Sequence, residues 1–321
     1  IVGTALVVAA IAGANSLVLT LSYQSTLHEV ENNLLRQSIT LSELVGRSFQ
    51  SVDLVLANVE DKMSRDVAAD GDTRRLTSRD FNTFIKAEKS ELPQIDTLAV
   101  LGVDGKKLNH SREWPVPDAD LSSREYFKEL ATNPRLTSFI GEPVQGFTSG
   151  HWVVVFARAV RAADGRLLGV VSASTVLNYF ENLFRSTTFG EGYAATLLRR
   201  DGRLLARFPM AGTIGQIVPA SVLKVMAHAN SGVSRSVSPV DHEARIAAAY
   251  RVAQYPLTVV VTQSESAAFA PWRRTALAMS LIAVLIIVLI IVAACLMARS
   301  WKQLDRLSAA HALRSTDTIA S

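Results

Sequence analysis

The chain has 321 residues, with 33 basic against 29 acidic side chains and a formal charge of +4. The charges are mixed along the middle, with no block of five basic residues, which argues against a nucleic-acid-binding surface. Its one cysteine, Cys295, lies in an apolar run, so no disulfide is available and stability has to come from a core.

Residues 1–21, IVGTALVVAAIAGANSLVLTL, carry no charge and are long enough to cross a hydrocarbon layer of about 30 Å as one helix. The run is longer than the apolar stretch of a cleaved leader, and helical periodicity continues straight out of it. The chain starts at Ile1 rather than methionine, and we expect the natural N-terminus to lie upstream. From Tyr23 to Asp66, apolar residues recur at helical spacing (Leu27, Val30, Leu34, Leu41, Leu44, Val45, Val52, Leu56, Val59, Met63) without a proline. This predicts an amphipathic helix of roughly 65 Å at about 1.5 Å per residue. Its stripe would pack on its own domain, on a second copy, or on both. AADGDTRR at 68–75 breaks it.

A short helix over 78–89 comes next. DTLAVLGVDGKKLNH at 96–110 then predicts a hairpin on Asp104-Gly105, with both turn positions at positive φ. Pro and Asp residues mark a loop before a helix starting near Arg124, which Ser122 or Ser123 could cap. Strands at 151–160 and 167–174 share a second Asp-Gly turn at 164–165, and a helix over 176–185 ends near Gly190 and Gly192. The pattern then repeats in shorter form. YAATLLRRDGRLLAR at 193–207 is a hairpin on Asp201-Gly202, followed by a helix near 220–230 and strands at 232–239, 244–252 and 256–263. Residues 275–298 form a second uncharged run flanked by Trp272 and Trp301, and Arg299, Lys302 and Arg306 follow it. Basic residues on that side predict a cytoplasmic end, although Arg273 and Arg274 on the other side blunt the asymmetry.

The fold class expected is therefore α+β: a long N-terminal helix and two antiparallel-sheet lobes with helices on one face, flanked by two transmembrane helices. The segments are 1–21 (first span), 22–67 (long helix), 68–190 and 191–270 (lobes), 275–298 (second span) and 299–321 (cytoplasmic linker). Residues 22–274 are placed outside the cytoplasmic membrane.

SSREYFKELATNP, FIGEPVQGFTSGHWVVVFARAV and DGRLLGVVSASTVLNYF, in this order between two spans, resemble the double Cache domain. This is the tandem PAS-like sensory module of bacterial chemoreceptors, sensor histidine kinases and diguanylate cyclases. The resemblance covers residues 22–274. It implies a homodimer built on the long helix, a membrane-distal lobe that binds a small ligand, and a proximal lobe that relays the change to the second span. It also implies a cytoplasmic output domain, a diguanylate cyclase or histidine kinase, beyond the 21-residue linker stretch WKQLDRLSAAHALRSTDTIAS. No catalytic activity is expected of the chain itself. The alternative is a module that contacts a periplasmic protein, or only dimerises, without a small-molecule site.

Amino-acid-sensing members carry Arg-x-aromatic-aromatic on the helix after the loop. The resemblance therefore implies that Arg124 grips a ligand carboxylate, with Tyr126 beside it, since guanidinium offers a planar two-donor fork. A solvated salt bridge or helix-capping role for Arg124 is the competing reading. The family's acid at the end of the last strand falls on Ser174, with Ser172 on the same strand face. Neither serine can neutralise an ammonium group, which argues against an α-amino acid and leaves room for a carboxylate, a small polar solute or no ligand at all. Thr148, Ser149, His151, Trp152 and Arg158 complete the candidate ligand set. The six histidines (28, 110, 151, 228, 242, 311) have no metal-ligand spacing, and no cofactor or metal is expected. Asp241-His242-Glu243 reads as a solvated turn.

Overall fold

The computed structural model describes residues 2–68, 73–146, 149–187, 190–219 and 231–317. They fall into two compact units, Ile1–Val30 with Ala268–Ser321, and Glu31–Ala267. The expected helix near 220–230 lies outside the described residues.

Helix α1 runs unbroken over Val2–Ala68, so the first apolar segment and the amphipathic segment are one element. Within the larger unit, Leu34, Leu41, Val45, Phe49, Val52, Leu56, Val59 and Met63 are all buried to within 1 %. Each such side chain is worth about 1.5–3 kcal/mol of transfer from water. Asn32, Arg36, Glu43, Arg47, Gln50 and Asn58 form the exposed stripe opposite. The predicted face is thus the buried one, and its own domain covers it.

After the 3₁₀ turn Thr73–Arg75 come α2 (Arg79–Ser90), β1 (Ile95–Leu101), β2 (Lys107–His110), α3 (Glu125–Thr132), β3 (Ser138–Gln145), β4 (Trp152–Arg161), β5 (Leu167–Val176) and α4 (Leu177–Ser186). The second half holds β6 (Tyr193–Arg199), β7 (Leu204–Phe208), β8 (Ser231–Val237), β9 (Ala244–Arg251) and β10 (Leu257–Ser264). It ends with α5 (Glu265–Ala268) and α6 (Ala270–Asp317). There are two antiparallel five-stranded sheets, ordered β2-β1-β5-β4-β3 and β7-β6-β10-β9-β8, the same path drawn twice. Strand β3 was not foreseen: SFIGEPVQ carries a proline, which a sheet tolerates at an edge, and β3 is an edge strand.

All three Asp-Gly turns differ from the expected geometry. Only the glycines have positive φ (Gly105 80°, Gly165 85°, Gly202 85°). The aspartates instead accept a hydrogen bond from the amide two residues on: Lys106 at 3.0 Å, Arg166 at 3.0 Å and Arg203 at 3.3 Å. At Gly105 and Gly202 the register slips in the adjoining pair, as a three-residue turn ending on a left-handed glycine requires.

Helix α1 lies on one face of the first sheet and α3 on the other. On the α1 face, Phe49 stacks on Phe180 at 5.4 Å and meets Phe156 at 6.1 Å and Tyr255 at 5.7 Å. Tyr255 comes from the β9–β10 turn, so this aromatic cluster joins the helix to both sheets. On the other face, Tyr126, Phe127 and Leu130 of α3 pack on Leu101, Val155, Ala157, Ala159 and Val170. In the smaller unit, Tyr23 stacks on Phe269 at 4.8 Å and meets the edge of Trp272 at 5.3 Å. The α1 segment from Gly3 and the Ala270–Trp301 stretch are both long and apolar enough to cross a membrane.

Candidate functional site

The α3 face of the first sheet is not fully covered. Directly paired residues share a face, so the rows Thr97–Ser174–Val155 and His110–Ala99–Ser172–Ala157 all point toward α3. Thr97, Ala99 and Ser174 lie on central strands yet keep solvent access, while their neighbours Leu98 and Val100 are buried. A central strand loses access under a helix unless a gap remains above it. Thr97, Ala99 and Ser174, with the buried Ser172 among them, therefore form a floor that α3 leaves partly open.

The walls come from α3 and from the turns around it. Tyr126, in the first turn of α3, is 6 % exposed, and its hydroxyl hydrogen-bonds Ser172. Burial pushes its phenol up to about 12, partly offset by that bond and by Arg124, so it acts as a neutral hydrogen-bonding group. Arg124 is half-buried and is itself the N-cap residue of α3, without a side-chain cap. The expected serine caps are absent: the Ser122 amide instead donates to Asp120 at 2.8 Å.

At the end of the floor, the bulge between Ile95 and Thr97 holds Asp96. Its Oδ1 accepts a very short hydrogen bond from Arg112, and its Oδ2 takes bonds from Ser149 at 3.1 Å and Thr97 at 3.3 Å. Arg112 Nε donates to Thr97 at 2.9 Å. Nothing in the spacing of the sequence pointed to Asp96, Arg112 or Thr97. Their shared position depends on a bulge and on pairing across distant strands.

The structure thus brings together Arg124, Tyr126, Ser149, Ser172 and Ser174, and separates the others. Arg158 faces α1, where Nε donates to Glu60 at 2.6 Å and Nη1 to Asp53 at 2.8 Å; it braces helix to sheet and is removed from the ligand set. Trp152 and the exposed His151 line a different cleft of about 190 Å³ with Leu177, Leu205 and Met210. Strand alternation explains both departures: Trp152 and Arg158 have the parity of Phe156, which touches Phe49. Thr148 lies outside the described residues.

One contact joins this site to the second sheet. Glu125, between Arg124 and Tyr126, accepts from Arg199 Nη1 at 2.8 Å and Nη2 at 3.2 Å, and from the Glu142 amide at 2.7 Å. Arg199, 8 % exposed at the end of β6, also donates to Asp201 at 2.7 Å and to the Ile140 carbonyl at 3.3 Å. Burial disfavours its charge, but the two carboxylates outweigh that and raise its pKa.

The second sheet shows a further correction. Residues 241–243 do form a turn, with His242 at φ 59°, but Asp241 is not solvated. It receives Arg207 at 2.6 Å and Arg245 at 2.9 Å, and both arginines are buried. Among the described residues no group of three His, Cys, Asp or Glu is placed to hold a metal ion.

Comparison with known proteins agrees with this fold. A Cache domain model matches residues 22–272. The extracellular domain of a candidate histidine kinase, rpHK1S-Z16, is 31 % identical, with a TM-score of 0.67 over 77 % of this chain and 99 % of that one. The ligand-binding domain of the Pseudomonas aeruginosa PAO1 amino acid chemoreceptor PctB, in complex with L-Arg, aligns at 18 % identity and TM-score 0.59 over 76 % and 98 % of the two chains. The periplasmic sensory domain of the Campylobacter jejuni chemoreceptor Tlp1 aligns at 12 % and 0.60 over 77 % and 99 %. No curated protein sequence gave a match. The chain belongs to the Cache domain family, whose role here is sensory.

Proposed function

We propose that the chain is the sensing part of a bacterial inner-membrane receptor, with the two sheets outside the cytoplasm. It holds a small carboxylate over the floor of the first sheet and signals inward through α6. The observation that carries this reading is the partly accessible floor Thr97–Ala99–Ser174, with Arg124, the N-cap of the helix that carries Tyr126, as the group suited to a carboxylate. The likeness to PctB, crystallised with an amino acid, and to the candidate histidine kinase supports a ligand-binding role ahead of an output domain. The finer parts, a homodimer on α1 and a diguanylate cyclase or kinase downstream, belong to the same proposal. Signalling requires only that the ligand bind one of two receptor conformations more tightly than the other.

The test uses the purified chain in lipid nanodiscs, heated with and without a panel of short monocarboxylates. A concentration-dependent rise in Tm that disappears in Arg124→Ala is expected. If no acid raises Tm, the carboxylate reading is wrong.

A further inference from the structure

The row that carries Ala99 and Ser172 also carries a polar atom without a hydrogen bond. His110 is 2 % exposed, and its Nε2 has no hydrogen-bond partner. The nearest acid, Glu113 Oε1, is 4.0 Å away and half-exposed. Leaving a buried imidazole nitrogen unpaired costs about 1–3 kcal/mol. The cost persists naturally where a ligand supplies the missing bond.

Register fixes the face of the sheet from which that side chain rises. His110 pairs with Ala99, and Ala99 with Ser172, so all three stand in one row on the α3 side. Strands are about 4.8 Å apart, which puts His110 and Ser172 roughly 10 Å apart across the sheet. The residue between them in that row is Ala99, which has a small side chain, a methyl group, and is only partly buried. A molecule of a few heavy atoms can lie on that methyl, with one end at His110 and the other toward Ser172, Tyr126 and Arg124.

The charges around the imidazole limit what that end can be. Lys107 and Arg112 flank it on its own strand and loop, and Lys86 approaches from α2; Glu113 is the opposing charge. Asp96, the other acid of the site, has both oxygens engaged by Arg112, Ser149 and Thr97. An ammonium group would thus meet mainly cations and an acid already satisfied. A hydroxyl can donate to the nitrogen or accept from it, whichever tautomer His110 adopts.

We infer that His110 is a ligand-contacting, specificity-determining residue, and that the ligand is a short hydroxycarboxylate. The carboxylate is held at Arg124 and the hydroxyl at His110 Nε2. This rests on the carboxylate reading above and adds the second recognition point.

The experiment is titration calorimetry of the full chain in nanodiscs with L-lactate, propionate and L-alanine. These share a three-carbon carboxylate and differ at the α-position in hydroxyl, hydrogen and ammonium. Lactate is expected to bind about tenfold or more tightly than propionate, the worth of one good hydrogen bond, with alanine no better than propionate. His110→Phe should remove the lactate preference, bringing lactate and propionate to one affinity, and His110→Gln should restore part of it. Equal lactate and propionate affinities in the parent chain, or an equal loss of both in His110→Phe, would reduce His110 to a structural residue while leaving the carboxylate reading intact. Tightest binding of alanine would overturn the hydroxyl assignment. If none of the three binds, the carboxylate reading fails, and this inference fails with it.

Discussion

The two sheets follow one path and differ in what stands over their floors. In the first, His110 lies across from Ala99 with an unpaired Nε2 and an accessible methyl beside it. In the second, at the same place beyond its Asp-Gly turn, Arg207 lies across from Thr196. The longer side chain reaches Thr196 Oγ1 at 2.8 Å and Asp241 at 2.6 Å, and Thr196 is only 4 % exposed. One lobe therefore leaves an imidazole nitrogen unbonded, and the other engages both terminal nitrogens of a guanidinium, leaving only its Nε unbonded. A fold copied within a chain can separate recognition from support by a single long side chain.

The comparison can be broken at several points. The largest effect is expected from Arg207→Ala, which strips a buried cation from Asp241 and reopens the second floor. Loss of about 2–4 kcal/mol of stability should follow, seen as a lower urea midpoint. A loss below about 0.5 kcal/mol would mean that the guanidinium closes nothing. Arg158→Ala removes a half-buried brace between β4 and α1, and solvent screening holds the cost to about 1 kcal/mol, measured in the same way.

Acidification should sharpen the contrast from the first lobe. Burial, with help from Lys107, depresses the His110 pKa below its ordinary 6.5. The unfolded chain therefore takes up a proton first as pH falls through that value. The native state loses stability until pH reaches the lower folded pKa, and above about 6.5 the residue has no effect. Tm measured from pH 8 to 5 should fall more steeply for the parent than for His110→Phe, and parallel curves would contradict the assignment. The smallest stability effect is expected from Ala99→Leu, which fills the open floor at a cost within about 0.5 kcal/mol. It should nevertheless abolish carboxylate binding by calorimetry, and retained binding would place the ligand elsewhere.

Much of this architecture was legible in the chain because its signals are local. Three Asp-Gly pairs marked three turns, and the apolar spacing of Leu34 to Met63 named the buried face of α1. What was lost depended on pairing between remote segments. The edge strand β3 was hidden by Pro143, and Arg158 and Trp152 were named as ligand candidates because alternation gives relative faces without saying which one meets α1 and which α3. Asp96 joins Arg112 and Ser149 only through a bulge. The partnerless state of His110 could not be read from a sequence that shows merely one of six scattered histidines. Asp241, read as part of a solvated turn, is half-buried and paired with arginines that arrive from β7 and β9, while His242 and Glu243 are exposed.

The two-pronged grip of Arg199 on Glu125 has one further consequence. Glu125 adjoins both Arg124 and Tyr126, so a tug on either neighbour is felt by a side chain rooted in the other sheet. Strand β6 is zipped to β10 from Tyr193–Gln263 to Arg199–Leu257. If occupancy of the first floor strains or relaxes that clasp, thermodynamic reciprocity makes the traffic two-way. Loosening Arg199 from the far side must then retune how firmly the visitor is held.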